Sequence, residues 1–340
     1  MKAVQIVKPE QLEIIEVEKP VIDEKNNVLV KMTAAGICGS DVGIYHGTNA
    51  AATYPRIIGH EMVGVVAEVG SNVANLKVGD RVIINQVTSC GTCYPCRKGR
   101  GNVCDHLAVR GVHIDGGYRE FIAVPESDCY VLPDSLSDQD AVMIEPTTIA
   151  IQSCTRAQLE KDDMLLLYGA GALGSSILRI ARQFCDHIIV ADVVDDKLAE
   201  AKAAGAKYTI NSMKEDFLEK VLEYTEGRGA TVSIDAACVK DSLLNLLKAT
   251  GNAGRVITMG FSTAATEVNQ FLITSKELDV RGSRLQNKMF GKAIEMINEG
   301  KLDLNGSISH TFPLTKAQEA FDFVDSRDPS IRKIVLTFDF

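Results

Sequence analysis

Cys90, Cys93, Cys96 and Cys104 follow a C-x2-C-x2-C-x7-C spacing, four thiols within 15 residues. Four thiolates that close together can complete a tetrahedral shell, and zinc takes such a set without redox chemistry. With every corner filled by protein, no substrate could bind. The set therefore predicts a structural ion, a staple for a loop that lacks its own core. An iron–sulfur site is the main competitor, but the ferredoxin run has a shorter last gap followed by proline, whereas Cys104 precedes Asp105. A nucleic-acid zinc ribbon is a third reading, and the acidity of the chain argues against it.

Three other potential ligands stand far apart in the chain. Cys38 lies in Gly36-Ile37-Cys38-Gly39-Ser40-Asp41, His60 in Gly59-His60-Glu61, and Glu145 in Met143-Ile144-Glu145-Pro146. Taken singly, each has a bland explanation. A cysteine among apolar neighbours is ordinarily a small core residue, and a solitary histidine is ordinarily hydrogen-bonded packing.

Leu165-Leu166-Leu167-Tyr168 runs straight into Gly169-Ala170-Gly171-Ala172-Leu173-Gly174. A G-x-G-x-x-G run between a strand and a helix is a dinucleotide fingerprint. Gly169 allows the tight turn, Gly171 lets backbone approach a pyrophosphate, and Gly174 lets the helix pack on the strand. The helix start, at Ala172 and Leu173, offers N–H groups to phosphate. Asp192 ends the next strand, 18 residues after Gly174. An acid there accepts from the ribose hydroxyls and repels a 2′-phosphate, so NAD is expected rather than NADP. Lys197 is placed at the same ribose edge.

These residues need two kinds of scaffold. The first ~150 residues read as β-rich, with short alternating segments and dense glycines. One helix is expected over 138–154. From Met164 onward strands alternate with amphipathic helices, which implies an α/β domain with a doubly wound parallel sheet. The last ~55 residues are mixed, and a final strand over 333–338 is expected to pair back into the first domain. The division is thus 1–153 with 286–340 for a discontinuous β-rich domain and 154–285 for the dinucleotide domain.

The 340 residues suit two domains. A net charge of −9 argues against a nucleic-acid or acidic-membrane partner. The amino-terminal apolar run is too short for a signal peptide, and the longest uncharged stretch is broken by glycines, so a soluble cytoplasmic protein is expected. Nine cysteines, four of them clustered, point to metal rather than disulfides in an intracellular chain.

In their order along the chain, the motifs from Gly36 to Asp41, Gly59-His60-Glu61, the cysteine lobe, Glu145-Pro146 and Gly169 to Gly174 resemble the zinc-containing medium-chain dehydrogenases of alcohols, polyols and threonine. The resemblance covers essentially the whole chain. It implies a GroES-like fold for the β-rich domain and two zinc ions, one structural in the lobe and one catalytic among Cys38, His60 and Glu145. It also implies that Glu61 enters the catalytic shell in some states and that Ser40 passes the substrate proton toward solvent. A turn or capping role is the alternative for Ser40. Tyr45 is expected to contact substrate and His46 to extend the relay, with partly exposed packing as the alternative for both. A dimer or tetramer is implied by resemblance alone.

The segments Leu107 to Tyr118, Ala141 to Pro146 and Gly282-Ser283-Arg284 resemble bacterial hexonate 5-dehydrogenases, with L-gulonate oxidised to D-fructuronate as the nearest match. A hexonate carboxylate calls for a cation, and Arg110, His113, Arg119 and Arg284 are the candidates, with a surface ion pair as the alternative for each arginine. Thr147-Thr148 departs from the family where relatives carry an apolar or aromatic residue, and Ala172 stands in place of a frequent proline. A polyol or threonine dehydrogenase is the second reading. A non-catalytic NAD-sensing protein on the same fold is the third, and it predicts a lost ligand.

Overall fold

The computed structural model describes residues 1–261, 264–328 and 330–338. The chain forms two compact units, Met1–Pro146 with Phe290–Phe340, and Thr147–Met289. The sequence suggested joins at 153 and 286. One helix, Ile144–Ala157, runs through both the first join and residue 153.

In the first unit a long strand, Val28–Gly36, organises the main sheet. It is buried over most of its length, as its Val-Leu-Val and Ala-Ala-Gly runs require of a strand covered on both faces. Antiparallel to it lie Glu61–Val69, Phe121–Val124 and the returning Ile334–Thr337. Gly36 sits opposite both Glu61 and Val335. That register brings the start of one strand and the residue before another, Lys333, to the same spot. The expected return of the chain end into the first domain is therefore present, and it adds a residue to the site.

The second unit holds six parallel strands. In sheet order they are Tyr208–Asn211, His187–Asp192, Met164–Tyr168, Ala230–Asp235, Thr250–Thr258 and Asp279–Gly282. Numbered by sequence within this unit, the order is 3-2-1-4-5-6, whose reversal creates a crevice at the carboxyl ends of the strands. Leu166, Ile189, Ile210 and Val256 fill the core on one side. The helix after the first strand is Ala172–Ala181. The next, Asp195–Ala203, gives way to Gly205 at φ +101°, a left-handed stop that glycine adopts without strain.

One expected helix differs. The stretch 138–154 is two helices, Asp138–Ala141 and Ile144–Ala157. Ser137 caps the first by accepting the Asp140 N–H at 3.0 Å. The break delivers Glu145 in the first turn of the second.

Candidate functional site

Cys38, His60 and Glu61 come together in the first unit. Their ligating atoms lie within 4.8 Å of one another, with His60 and Glu61 buried. Cys38 is placed by the helix it starts, Gly39–Tyr45, where its N–H donates to Asp41 Oδ2 at 2.9 Å. Asp41 is wholly buried. Its Oδ1 lies 3.3 Å from His60 Nδ1, an ion-pair distance without the alignment of a hydrogen bond. A carboxylate behind a ligating imidazole fixes the ring and frees the other nitrogen for a metal, here Nε2, which lies 3.4 Å from Ser40 Oγ.

Two glycines make the room. Gly59 has φ +91°, and a Cβ there would overlap the Tyr118 ring. Tyr118 in turn donates to the Gly36 carbonyl at 3.0 Å. A Cβ at Gly36 would overlap the Glu61 carboxylate. The GxCGSD and GHE motifs therefore encode space as well as ligands.

Lys333 is a site residue without a sequence signal. Its ammonium pairs with the Glu61 carboxylate, their side chains being 11% and 0% exposed. Burial alone would lower the Lys333 pKa, but Glu61 and then Cys38 outweigh it and hold the amine above its ordinary range. Burial likewise opposes charge on His60, and Asp41 and Cys38 again outweigh it, so the imidazole is held well above its usual value. Glu145 is pushed up to about 7, chiefly by burial, against the lowering influence of His60. It lies beside the cluster rather than within it and accepts a hydrogen bond from Gln86 Nε2. So much buried negative potential favours a cation, whether proton or metal ion. Cys38, His60 and a carboxylate are a mixed donor set that zinc accepts while one position stays open to substrate.

The lobe closes as its spacing predicts. Cys90, Cys93, Cys96 and Cys104 bring their sulfurs within 4.8 Å of one another. Backbone N–H groups of Cys90 and His106 donate to Cys104 Sγ at 3.3 Å, and that of Cys93 to Cys90 Sγ at 3.4 Å. Backbone donors lower Cys90 to about 5. Cys96 is pushed to about 12 by burial and its neighbouring sulfurs. A divalent ion shared by the four sulfurs would relieve this crowding.

The fingerprint turn also fits its group. Gly169 has φ +107°, and a Cβ would press on the Ala237 backbone. A Cβ at Gly174 would overlap the Gly169 carbonyl, whereas one at Gly171 meets nothing within 4 Å. Open space at Gly171 is what a pyrophosphate needs. Asp192 Oδ2 accepts from Ala170 N at 2.7 Å, and Oδ1 from Val193 N and Val194 N at 2.8 and 3.0 Å. The acid therefore ties the turn to the second strand. Ala172 and Leu173 open the helix, and Lys197 is exposed in the first turn of the next.

Some expected residues have other partners. His46 is engaged at both ring nitrogens, by Glu10 at 2.7 Å and Asp325 at 3.0 Å, so it does not extend a relay from Ser40. Tyr45 is 7% exposed, packs on Phe321 and accepts from Gln318 at 3.1 Å. It is a packing residue here. Arg110 is buried and paired with Asp128 at 2.9 Å, which removes it from the carboxylate-binding candidates. His113 Nδ1 accepts the Val109 N–H at 3.1 Å. Arg119 is largely buried, with its Nε lacking a hydrogen bond and its pKa lowered by burial. Arg284 lies 5.8 Å from the Phe261 ring centroid, within cation–π reach.

Two family models match the chain, the alcohol dehydrogenase GroES-like domain over residues 24–134 and the zinc-binding dehydrogenase over residues 172–299. Starvation-sensing protein RspB of Escherichia coli is 41% identical, with 99% of each chain covered. The chain belongs to the zinc-type medium-chain alcohol dehydrogenases. A crystal structure of rspB from E. coli CFT073 complexed with NADH superposes on this dehydrogenase with a TM-score of 0.92 and 40% identity, covering 99% of each chain. L-galactonate-5-dehydrogenase of E. coli is 29% identical over 92% of each chain. The dehydrogenase is an oxidoreductase with zinc and NAD as its cofactors, and it retains both donor sets and the fingerprint. Among the described residues no helix is long and apolar enough to cross a membrane.

Proposed function

We propose that the dehydrogenase oxidises a secondary alcohol of a sugar acid, with L-gulonate to D-fructuronate as the specific reaction. The observation that carries the chemistry is the buried, mixed set of Cys38, His60 and Glu61 with Glu145 beside it. A set closed by four thiolates could not take substrate, whereas this one can. Cys38, His60 and Glu145 would hold the catalytic ion, with Glu61 exchanging between it and Lys333. Bound there, zinc would act as a Lewis acid on a substrate hydroxyl, and NAD held at the fingerprint would supply the hydride acceptor.

The chain's own residues do the remaining work. Asp41 orients the His60 ring. Ser40, with its hydroxyl beside His60 Nε2, accepts the hydroxyl proton of the substrate and passes it toward water. Gly171 and the helix start bind the cofactor phosphates, while Asp192 holds the turn and selects for a ribose without a 2′-phosphate. The sugar-acid class is supported by the hexonate-like segments and by the likeness to L-galactonate-5-dehydrogenase. His113, Arg119 and Arg284 are the proposed carboxylate partners. A homo-oligomer and a cytoplasmic location complete the proposal.

NADH formation by zinc-loaded protein, assayed on L-gulonate, L-galactonate, D-mannonate, sorbitol, xylitol and L-threonine, tests the substrate class. Turnover confined to a neutral polyol or threonine would keep the zinc chemistry and discard the sugar acid. In parallel, Glu145→Ala should remove activity and leave the lobe ion in place, counted by metal analysis.

A further inference from the structure

The Gln86 side chain is fully buried and 59 residues from Glu145 in sequence, yet its carboxamide reaches the Glu145 carboxylate. A carboxylate only accepts, so the donor is Gln86 Nε2. The other end of the amide, Oε1, is buried with no hydrogen-bond partner. Buried amides ordinarily find partners at both ends, so an orphaned Oε1 calls for an explanation. Among the described residues, the one hydrogen bond the side chain makes is the one to Glu145.

The backbone around Gln86 is held just as firmly. Its carbonyl accepts the Arg110 N–H at 2.9 Å, and Arg110 Nη1 donates to the Asn85 carbonyl at 2.9 Å. Arg110 Nη2 pairs with Asp128, whose carbonyl accepts the Asn85 N–H at 2.7 Å. The Asn85 side chain turns back on Val87 N at 3.0 Å. The two residues are thus fixed from three directions by a buried ion pair and a backbone lattice.

We propose that Gln86 is a positioning residue for the catalytic metal centre, held by the Arg110–Asp128 pair, and that it fixes one oxygen of Glu145 so that the other is presented to the ion. The inference rests on the reading of Glu145 as a ligand. It assigns Arg110 a task as well: rather than meeting substrate, it braces the loop that holds the ligand's partner. Hydrogen-bond partners of metal ligands commonly alter metal affinity by roughly 10–100-fold when removed, because they reduce the freedom the ligand loses on binding.

Zinc affinity of the non-lobe site, measured on the full chain by chelator competition, tests this. Gln86→Met keeps the length and removes the donor. It should weaken zinc about 10–100-fold, with the lobe ion retained as the control for folding. Gln86→Asn, which keeps the amide but withdraws it by one methylene, should fall between Met and wild type. In a Glu145→Ala background, Gln86→Met should change affinity by less than about twofold, since nothing remains to be positioned. Affinity within about twofold of wild type for Gln86→Met, while Glu145→Ala loses zinc, would overturn the inference and leave the ligand reading intact. An equal loss in both backgrounds would also overturn it, because Gln86 would then act elsewhere. No loss of zinc in Glu145→Ala would overturn the ligand reading itself.

Discussion

Replacing Lys333 by methionine removes the buried cation that faces Glu61 and keeps most of its aliphatic stem. The magnitude follows from the burial of the pair, whose side chains are 11% and 0% exposed. Removing one partner of a buried ion pair leaves the other uncompensated and costs about 3–5 kcal/mol. The surroundings sharpen the case, because Cys38 and Glu145 act on Lys333 with the same sign as Glu61. In metal-free protein Lys333→Met should therefore lose about 3–5 kcal/mol of unfolding free energy in urea, followed by circular dichroism. Adding Glu61→Gln makes the pair neutral and should restore most of the loss, giving a coupling of at least about 2 kcal/mol in the double-mutant cycle. With zinc bound, the ion supplies the missing positive charge, so the single variant should lose distinctly less. A loss below about 1 kcal/mol in metal-free protein, or a double variant no more stable than the single one, would refute the reasoning.

Other expectations follow from the same geometry. Cys104→Ser removes the sulfur on which two backbone N–H groups converge. One zinc per chain should be lost by metal analysis while the other stays, and loss of both together would refute separate roles for the two sites. Asp192→Ala unties the fingerprint turn from Ala170, Val193 and Val194. NAD affinity by calorimetry should fall at least about tenfold and preference over NADP should narrow; an unchanged preference would count against the ribose role. His46 has its pKa raised, first by Asp325 and then by Glu10. The tie it makes is thus fully present below the ordinary imidazole range and is lost as pH rises through the raised value. The melting-temperature gap between wild type and His46→Gln should be widest near about pH 6 and close toward about pH 9. A gap that widens with pH would contradict the assignment.

What could be read from sequence was what is local. The four lobe cysteines and the glycine turn are each contained in a few residues, and neither needs the rest of the fold to announce its chemistry. Four of the six parallel strands were legible because each carries a short apolar run bounded by a helix of different period. Tyr208–Asn211 and Asp279–Gly282 were not anticipated. They are short, and their residues are in part exposed, so no apolar run marks them. Lys333 looked like an ordinary charge at the head of a final strand. Only the register that sets Gly36 opposite both Glu61 and Val335 brings its ammonium to the site. Arg110 is the opposite case: an arginine in a hexonate-like segment suggests a carboxylate partner, and the fold supplies the ion-pair alternative instead, through Asp128, 18 residues away.

The two zinc sites obey different logics, and that difference explains where sequence reasoning stops. The lobe's sulfurs are supplied by one loop, so its metal fixes the structure that binds it. The other cluster joins a helix start at Cys38 to His60 and the strand start at Glu61, with Lys333, the residue before the last strand, paired to Glu61 and Glu145 beside them. No short segment could hold an ion there, and the fold must place the donors before any metal arrives. Its supports are consequently the long-range groups: Asp41 behind His60, Gly36 beneath Glu61, Lys333 opposite it, and Gln86 on Glu145. Substitutions at these supports should change how the site binds metal without touching the cysteine lobe, whereas substitutions in the lobe should loosen its loop and leave the donor set of Cys38, His60 and Glu61 in place. A catalytic ion needs that independence, because it must keep an open position that a self-closing shell would fill.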